Sequence, residues 1–142
     1  MESVNYDRTH VKEVYENTYA NKVKSFTEIK DEHVSTDIRF NNVLKKLDIK
    51  NLNRHSLLDI ACGDGVKTNA LSQYFKNALG VDFSANAIQA CNSTFKSDVL
   101  AFIELDIDNQ ELDQKFDFIT SFGNSTFNIS NIEVLTKEII KV

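Results

Sequence analysis

The chain has 142 residues, of which 42% are hydrophobic, and this is enough material for one domain with a core. Its formal net charge is −5, with 16 Lys and Arg dispersed among 21 Asp and Glu, so it lacks the basic stripe that a nucleic-acid partner requires. No run approaches the ~20 apolar residues of a membrane span, and the first ten residues have no signal-peptide character. We therefore expect a cytoplasmic protein that binds neither nucleic acid nor a membrane.

Two amphipathic helices are predicted before the first strand, over residues 9–26 and 34–47, where apolar residues recur at helical spacing. We expect residues 1–50 to form a helical cap and residues 51–142 to form the core domain. The predicted apolar face of the first helix carries Val11, Val14, Tyr15, Tyr19, Val23 and Phe26.

Residues 57–65, LLDIACGDG, predict an apolar strand that runs into a glycine loop and then a helix. Such a loop lets a ligand approach the backbone, while the helix N-terminus supplies free N–H donors. A dinucleotide fingerprint requires G-x-G-x-x-G, but this chain has Ala61, Gly63 and then Val66 at the three positions. Because a branched side chain stands where the third glycine is needed, a nicotinamide or flavin dinucleotide is disfavoured.

Three further apolar runs end in acids or a glycine. Residues 78–84 reach Asp82, and Ser84 then stands at the N-cap position of a helix. The run VLAFIELD ends at Asp106, and the run over 116–125 contains Gly123. Ligands of open α/β sheets bind at the carboxyl ends of strands, so these residues predict one binding edge, with Asp82 placed to accept hydrogen bonds from ribose hydroxyls.

The pattern acid-x-small-x-Gly-x-Gly, filled by Asp59, Ala61, Gly63 and Gly65, resembles the first motif of the class I S-adenosylmethionine (SAM)-dependent methyltransferases. The segment LDIACGDGV is similar in sequence to the corresponding segment of glycine and sarcosine N-methyltransferase-like enzymes. The segment SFGNSTFNI resembles the one that closes their site. The resemblance implies a Rossmann-like three-layer α/β sandwich, with SAM as cofactor. It also implies substrate contacts at Asn124 and Ser125 and cofactor contacts at Tyr19, Arg39, Asp59, Ala61, Cys62, Gly63, Gly65, Asp82, Phe83, Asp106, Ile107, Phe122 and Gly123.

Several of these residues have structural alternatives. Taken singly, Tyr19 is better explained as helix packing, and Arg39 is equally explained as a solvated surface residue, while Asn124 and Ser125 are common turn formers. Cys62 is interpreted as a small thiol lining the cofactor rather than as a nucleophile, because no histidine lies near it in the sequence. The cysteines and histidines have no metal-ligand spacing, so no metal is expected.

Methyl transfer from a sulfonium needs proximity and alignment more than a dedicated nucleophile, so no catalytic residue is assigned. We expect a methyltransferase that acts on a small molecule, with an amine as one candidate. The family has seven strands, of which four are found here, so the chain is expected to stop after the fourth strand and to self-associate through that strand's exposed edge. The alternatives are a non-catalytic domain that binds SAM or S-adenosylhomocysteine, an inactive fragment that needs a partner chain, and a nucleotide-binding oxidoreductase fragment.

Overall fold

The computed structural model describes residues 8–22, 38–47 and 49–122. Two helices come first, α1 (Arg8–Lys22) and α2 (Ile38–Lys46), followed by a 3₁₀ helix over Ile49–Arg54. The core then alternates strands and helices: β1 (Ser56–Ile60), α3 (Val66–Ser72), β2 (Asn77–Asp82), α4 (Ala85–Thr94), β3 (Leu100–Glu104) and β4 (Phe118–Thr120). Of the predicted site residues, Gly123, Asn124 and Ser125 lie outside the described residues.

The four strands form one parallel sheet in the order β3-β2-β1-β4. This arrangement confirms the predicted Rossmann-like α/β fold. The chain moves outward from β1 to β2 to β3 and then returns to pair β4 with the other side of β1. All four carboxyl ends therefore lie at one edge, with a topological switch point between β1 and β4.

Each face of the sheet has its own cover. Leu57 and Ala78 pack with Val66 and Leu71 of α3 on one face, where α4 also lies. The other face carries the strand residues that alternate with these, namely Leu58, Ile60, Leu79 and Val81. They are covered by Leu105, Ile107 and Phe116. Because parallel crossovers are right-handed, the two outward steps place their helices on one face and the return step places residues 105–117 on the opposite face.

Phe102 fills the space between the sheet and α4. A Cβ built on Gly80, the residue in register with Phe102, would lie 2.6 Å from the aromatic ring. Gly80 is thus needed to admit Phe102 beneath α4.

The helix predictions are partly wrong at α1. Val11, Tyr15 and Tyr19 are half-buried, as expected of an inner face, but Val14 is 47% exposed. The apolar spacing overstates the buried face because the core contacts only one narrow side of this helix. β3 and β4 are also shorter than their apolar runs. The apolar residues Leu105, Ile107 and Phe116 lie in the connection between the two strands and pack over the sheet.

Candidate functional site

The loop between β1 and α3 has an unusual backbone. Ala61, Gly63 and Gly65 adopt positive φ values of 55°, 55° and 71°. The Cys62 N–H donates to the Val81 carbonyl (3.0 Å), and the Gly65 N–H donates to the Cys62 carbonyl (3.0 Å). The loop is therefore a tight, left-handed turn that is fixed to the end of β2.

The two loop glycines are required for different reasons. A Cβ on Gly65 would lie 2.7 Å from Cys91 Sγ and 2.8 Å from the Phe102 ring, so this glycine lets the loop pack onto α4 and β3. A Cβ on Gly63 would lie 2.5 Å from the Tyr19 hydroxyl, on the side covered by α1. Gly63 is thus the loop position whose missing side chain makes room for the Tyr19 hydroxyl.

Asp59 lies at the end of β1, buried beneath the loop at 2% exposure. Its carboxylate accepts hydrogen bonds from the hydroxyls of Thr68 (2.6 Å) and Thr120 (2.9 Å). Burial raises the pKa of Asp59 to about 6, even though the two threonines favour its ionised form. The acid of the motif therefore joins the first turn of α3 to β4 and supports the loop from below.

Asp82 brings the end of β2 and the glycine loop together. Its carboxylate accepts from the Gly63 N–H (2.9 Å) and from the Ser84 N–H (3.0 Å). Burial raises the pKa of Asp82, and the same two backbone N–H groups oppose that rise. The predicted ribose acid therefore lies directly beside Gly63 of the loop.

Helix α1 lies over this part of the sheet edge. Tyr15 makes an edge contact with the Phe83 ring, with centroids 5.7 Å apart, and Tyr19 places its hydroxyl over Gly63. Burial, followed by the charges of Asp82 and Asp64, raises the pKa of Tyr19, so its hydroxyl stays protonated at neutral pH. Tyr19 and Phe83 are therefore brought to the candidate site as the sequence predicts.

Glu16 connects α1 to the helix that follows β2. Its carboxylate accepts from the backbone N–H of Ala85 (2.7 Å) and of Asn86 (3.1 Å), while the Asn86 side-chain amide donates to the Glu16 carbonyl (3.2 Å). Ser84 is the N-cap of α4, as predicted, and accepts from the Ala87 N–H.

The predicted residues after β3 and β4 have structural contacts of their own. Asp106 shapes a turn, because its carboxylate accepts from the Asp108 N–H (3.2 Å) and from the Asn109 side-chain amide (2.9 Å). This turn borders a cleft of about 500 Å³, whose opposite wall is α1.

Ile107 is buried in the sheet core, and Phe122 packs against the α3 face with the Lys67 ammonium 5.3 Å from its ring.

Cys62 of the loop, which is half-buried, and Cys91 of α4, which is buried, form a pair of thiols. Cys91 donates to the Gly63 carbonyl (3.3 Å), and its hydrogen bond to Cys62, with burial, raises the pKa of the Cys62 thiol. A thiol that resists ionisation is a poor nucleophile, which agrees with the packing interpretation of Cys62. In the described ranges, no group of three or more potential ligands could hold a metal ion, and no helix is long and apolar enough to cross a membrane.

Sequence reasoning missed Glu16, Thr68 and Thr120. Thr120 had a usable signal, because its place at the end of β4 puts it in register with Asp59. Glu16 had none, because its partners lie 69 and 70 residues away in the chain. Arg39 belongs to α2, but its side chain lies outside the described part of the structure.

Three comparisons with known proteins agree with this architecture. The chain is 32% identical over 93 residues to the malonyl-[acyl-carrier protein] O-methyltransferase of Acetivibrio thermocellus, covering 64% of this chain and 32% of that protein. It resembles the structure of an S-adenosylmethionine-dependent methyltransferase from Clostridium acetobutylicum with 30% identity and a TM-score of 0.61, covering 84% of this chain and 51% of that one. It also resembles, with a TM-score of 0.67 and 18% identity, a chain in the complex between the Haloferax volcanii Trm112 methyltransferase activator and a methyltransferase, covering 88% of this chain and 53% of that one.

The chain spans about a third of the length of the curated relatives it matches. Residues 57–142 match the family model of the methyltransferase domain, and this range includes the glycine loop and all four strands. The chain therefore belongs to the methyltransferase domain family, with S-adenosylmethionine as the implied cofactor.

Proposed function

We propose that this chain binds SAM at the carboxyl edge of its sheet and acts in a methyltransferase whose acceptor is a small molecule. The observation that carries the proposal is the hydrogen bond between the Gly63 N–H and Asp82. It fixes the glycine loop next to a buried carboxylate at the carboxyl edge of a parallel sheet. This is the place where α/β sheets bind nucleoside-containing ligands.

The residues present fit such a cofactor. Gly63 has no side chain to obstruct the loop, and the Asp82 carboxylate has more acceptor sites than the backbone amides that it binds, which leaves acceptor capacity for a ribose hydroxyl. Tyr19 supplies a protonated hydroxyl on the same side, and Asp59 holds the loop through its two threonines. Asp106 is the candidate for the adenine end, together with the chain around Ile107.

The bound cofactor would supply a methyl group on a sulfonium: the acceptor's lone pair would bond to the methyl carbon as the carbon–sulfur bond breaks, and S-adenosylhomocysteine would leave. The chain's own contribution is to bind, to align and to exclude water. Asp82 and the loop backbone hold the nucleoside side, while α1 covers the site through Tyr15 and Tyr19. Arg39, Phe122 and Gly123 are proposed as further cofactor contacts, with Asn124 and Ser125 facing the acceptor.

An amine is our first candidate acceptor, because the segments LDIACGDGV and SFGNSTFNI are similar in sequence to those of glycine and sarcosine N-methyltransferase-like enzymes. The relative from Acetivibrio thermocellus, by its name, methylates malonyl-[acyl-carrier protein], so a carboxyl oxygen is the second candidate class. A panel of small amines and malonyl-[acyl-carrier protein], each tested for methyl transfer from labelled SAM, separates the two classes.

Cofactor binding is tested by calorimetric titration of the chain with SAM, S-adenosylhomocysteine and NAD. We expect saturable binding of the first two ligands and none of NAD. Binding of NAD in preference to SAM would instead support the nucleotide-binding oxidoreductase alternative.

A cofactor-binding unit that works with a partner chain is the second candidate function. It is favoured by β4, which pairs only with β1 among the described strands and so stands at an edge of the sheet. SAM binding without transfer to any member of the acceptor panel would support this candidate.

A further inference from the structure

Helix α1 is attached to the core by contacts of unequal quality. Lys12 approaches Glu104 at 4.0 Å, and the two side chains are 45% and 52% exposed. A long ion pair in water contributes little, because solvent screens it and two flexible side chains must be ordered. The Glu16 carboxylate, by contrast, makes two short bonds to backbone amides of α4 and is half-buried.

The N-terminus of α4 explains why this attachment is favourable. The first N–H groups of a helix have no partner within the helix and carry its positive end. Ser84 satisfies the Ala87 N–H, and Glu16 satisfies those of Ala85 and Asn86. The helix is therefore capped jointly by its own N-cap residue and by a carboxylate from α1.

The turn that Glu16 holds is also the turn that carries the candidate site. Asp82 accepts from Ser84, next to the two amides bound by Glu16, and from Gly63 of the loop. Phe83 of the same turn contacts Tyr15, which lies one residue before Glu16 on α1. Glu16 therefore fixes at once the position of α1 over the loop and the turn that presents Asp82.

We propose that Glu16 is a positioning residue that fastens α1 over the cofactor site, so that seating of α1 and binding of SAM favour each other. This inference rests on the proposed function. Glu16 acts through Asp82, Phe83 and Tyr19, and it is not itself a ligand of the cofactor. Coupling between two binding events is reciprocal, so the bound cofactor must also tighten the contact between Glu16 and α4.

The test uses Glu16→Gln, which keeps the side-chain length but removes the charge and one acceptor oxygen. Glu111→Gln is the matched control, because it removes the same charge from an exposed position that does not line the cleft beside α1. Amide hydrogen exchange of Ala85 and Asn86 is measured by NMR with and without SAM, and the dissociation constant and dissociation rate of SAM are measured in parallel.

We expect Glu16→Gln to speed exchange of both amides without ligand and to weaken SAM binding about tenfold, equivalent to about 1.4 kcal/mol, through faster dissociation. Added SAM should slow exchange of these amides in the wild-type chain and less so in the variant. Glu111→Gln should change the dissociation constant by no more than about twofold, as expected for an exposed charge.

The two proposals fail in different ways. A wild-type chain that binds no SAM overturns the proposed function. If the wild-type chain binds SAM and Glu16→Gln matches it in affinity, dissociation rate and amide exchange, Glu16 has no positioning role. Tighter binding by Glu16→Gln also overturns the inference, since it would mean that the seated α1 obstructs the site.

Discussion

The Asp82 carboxylate serves the protein and, in the proposed function, its ligand. It accepts hydrogen bonds from the amides of Gly63 and Ser84 and has further acceptor capacity beside the loop. Removing it would leave two N–H groups without this acceptor and would deprive a ribose of its partner.

We expect Asp82→Ala to weaken SAM binding at least about tenfold, since a hydrogen bond to a charged group contributes ~1.5–3 kcal/mol. Calorimetric titration of the variant is the measurement, after circular dichroism has shown that it is folded. Asp98→Ala, in the exposed turn before β3, is the control for loss of a carboxylate. An Asp82→Ala protein with the wild-type dissociation constant would remove Asp82 from the site.

Asp59 predicts a pH dependence of stability. The pKa of this buried carboxyl is about 6 in the folded chain, against an ordinary value of 3.8. Between these values the folded state holds a proton that the unfolded state has lost, so stability falls as pH rises from about 4 to about 6. Above pH 6 the folded chain bears the whole free-energy cost of burying the ionised Asp59 carboxylate, on the order of 3 kcal/mol for a pKa raised from 3.8 to about 6.

Asp59→Asn should remove this decline, because an amide accepts from one threonine hydroxyl and donates to the other without a charge. The measurement is the free energy of unfolding in urea at several pH values between 4 and 7, compared between the variant and the wild type. Curves that remain parallel across this range would show that Asp59 does not carry the titration.

At the scale of single residues, contacts between residues at the ends of neighbouring strands could be predicted from the sequence. Contacts between distant segments of the chain could not. Asp82 and Gly63 meet because both follow carboxyl ends of neighbouring parallel strands. Gly65 lies at a predicted position, but its packing against Cys91 and Phe102 depends on how α4 and β3 come together. Glu16 depends on the placement of α1, for which the local pattern carries no information.

At the scale of elements, β1 and β4 are joined at their amino ends by a side-chain contact. The Ser56 N–H and hydroxyl both donate to the Asp117 carboxylate, at 2.8 Å and 2.9 Å, and the Asp117 N–H donates to the Ser56 hydroxyl at 3.1 Å. Nearby, His55 approaches the same carboxylate at 3.6 Å. This contact sets the start of the register in which Leu57 faces Phe118.

We expect Asp117→Asn to lower the urea midpoint of unfolding at pH 7, and the control Asp113→Asn, at an exposed position four residues earlier, to leave it unchanged. The bonds from Ser56, then His55, lower the pKa of Asp117. A depressed pKa gives stability that is present above the ordinary value of 3.8 and is lost as pH falls through the folded value. The loss of stability in Asp117→Asn relative to wild type should therefore shrink in acid, whereas Asp59→Asn should gain stability relative to wild type as the pH rises.

The elements themselves were predictable where apolar runs and caps agreed. The first two strands and α4 with its Ser84 cap are found as expected. β3 and β4 are shorter, because an apolar run does not distinguish a strand from a segment that packs over the sheet. The same limit explains Val14, which has the spacing of a buried residue on a helix that the core contacts only on one side.

At the scale of the molecule, the order β3-β2-β1-β4 follows from short right-handed crossovers and could be predicted from the family resemblance. A helical cap before the first strand was expected too, but the contacts that fix α1 across the binding edge, from Glu16 to α4 and from its rings to Phe83, could not be predicted, since they join distant segments. These contacts make the candidate site a composite of the N-terminal helix and the sheet.

The sheet also predicts how chains associate. Within the described structure β4 is an edge strand, and the backbone groups on its outer side are a template for pairing with a second copy. We expect the chain to self-associate through β4 as its concentration rises, as measured by light scattering. Ile119→Lys, which introduces a charge on this edge strand, should suppress association, whereas Ile103→Lys on the opposite edge, where the side chain is 38% exposed, should not. Circular dichroism checks that both variants fold, and a chain that stays monomeric throughout, or responds only to Ile103→Lys, would show that β4 is not the associating edge.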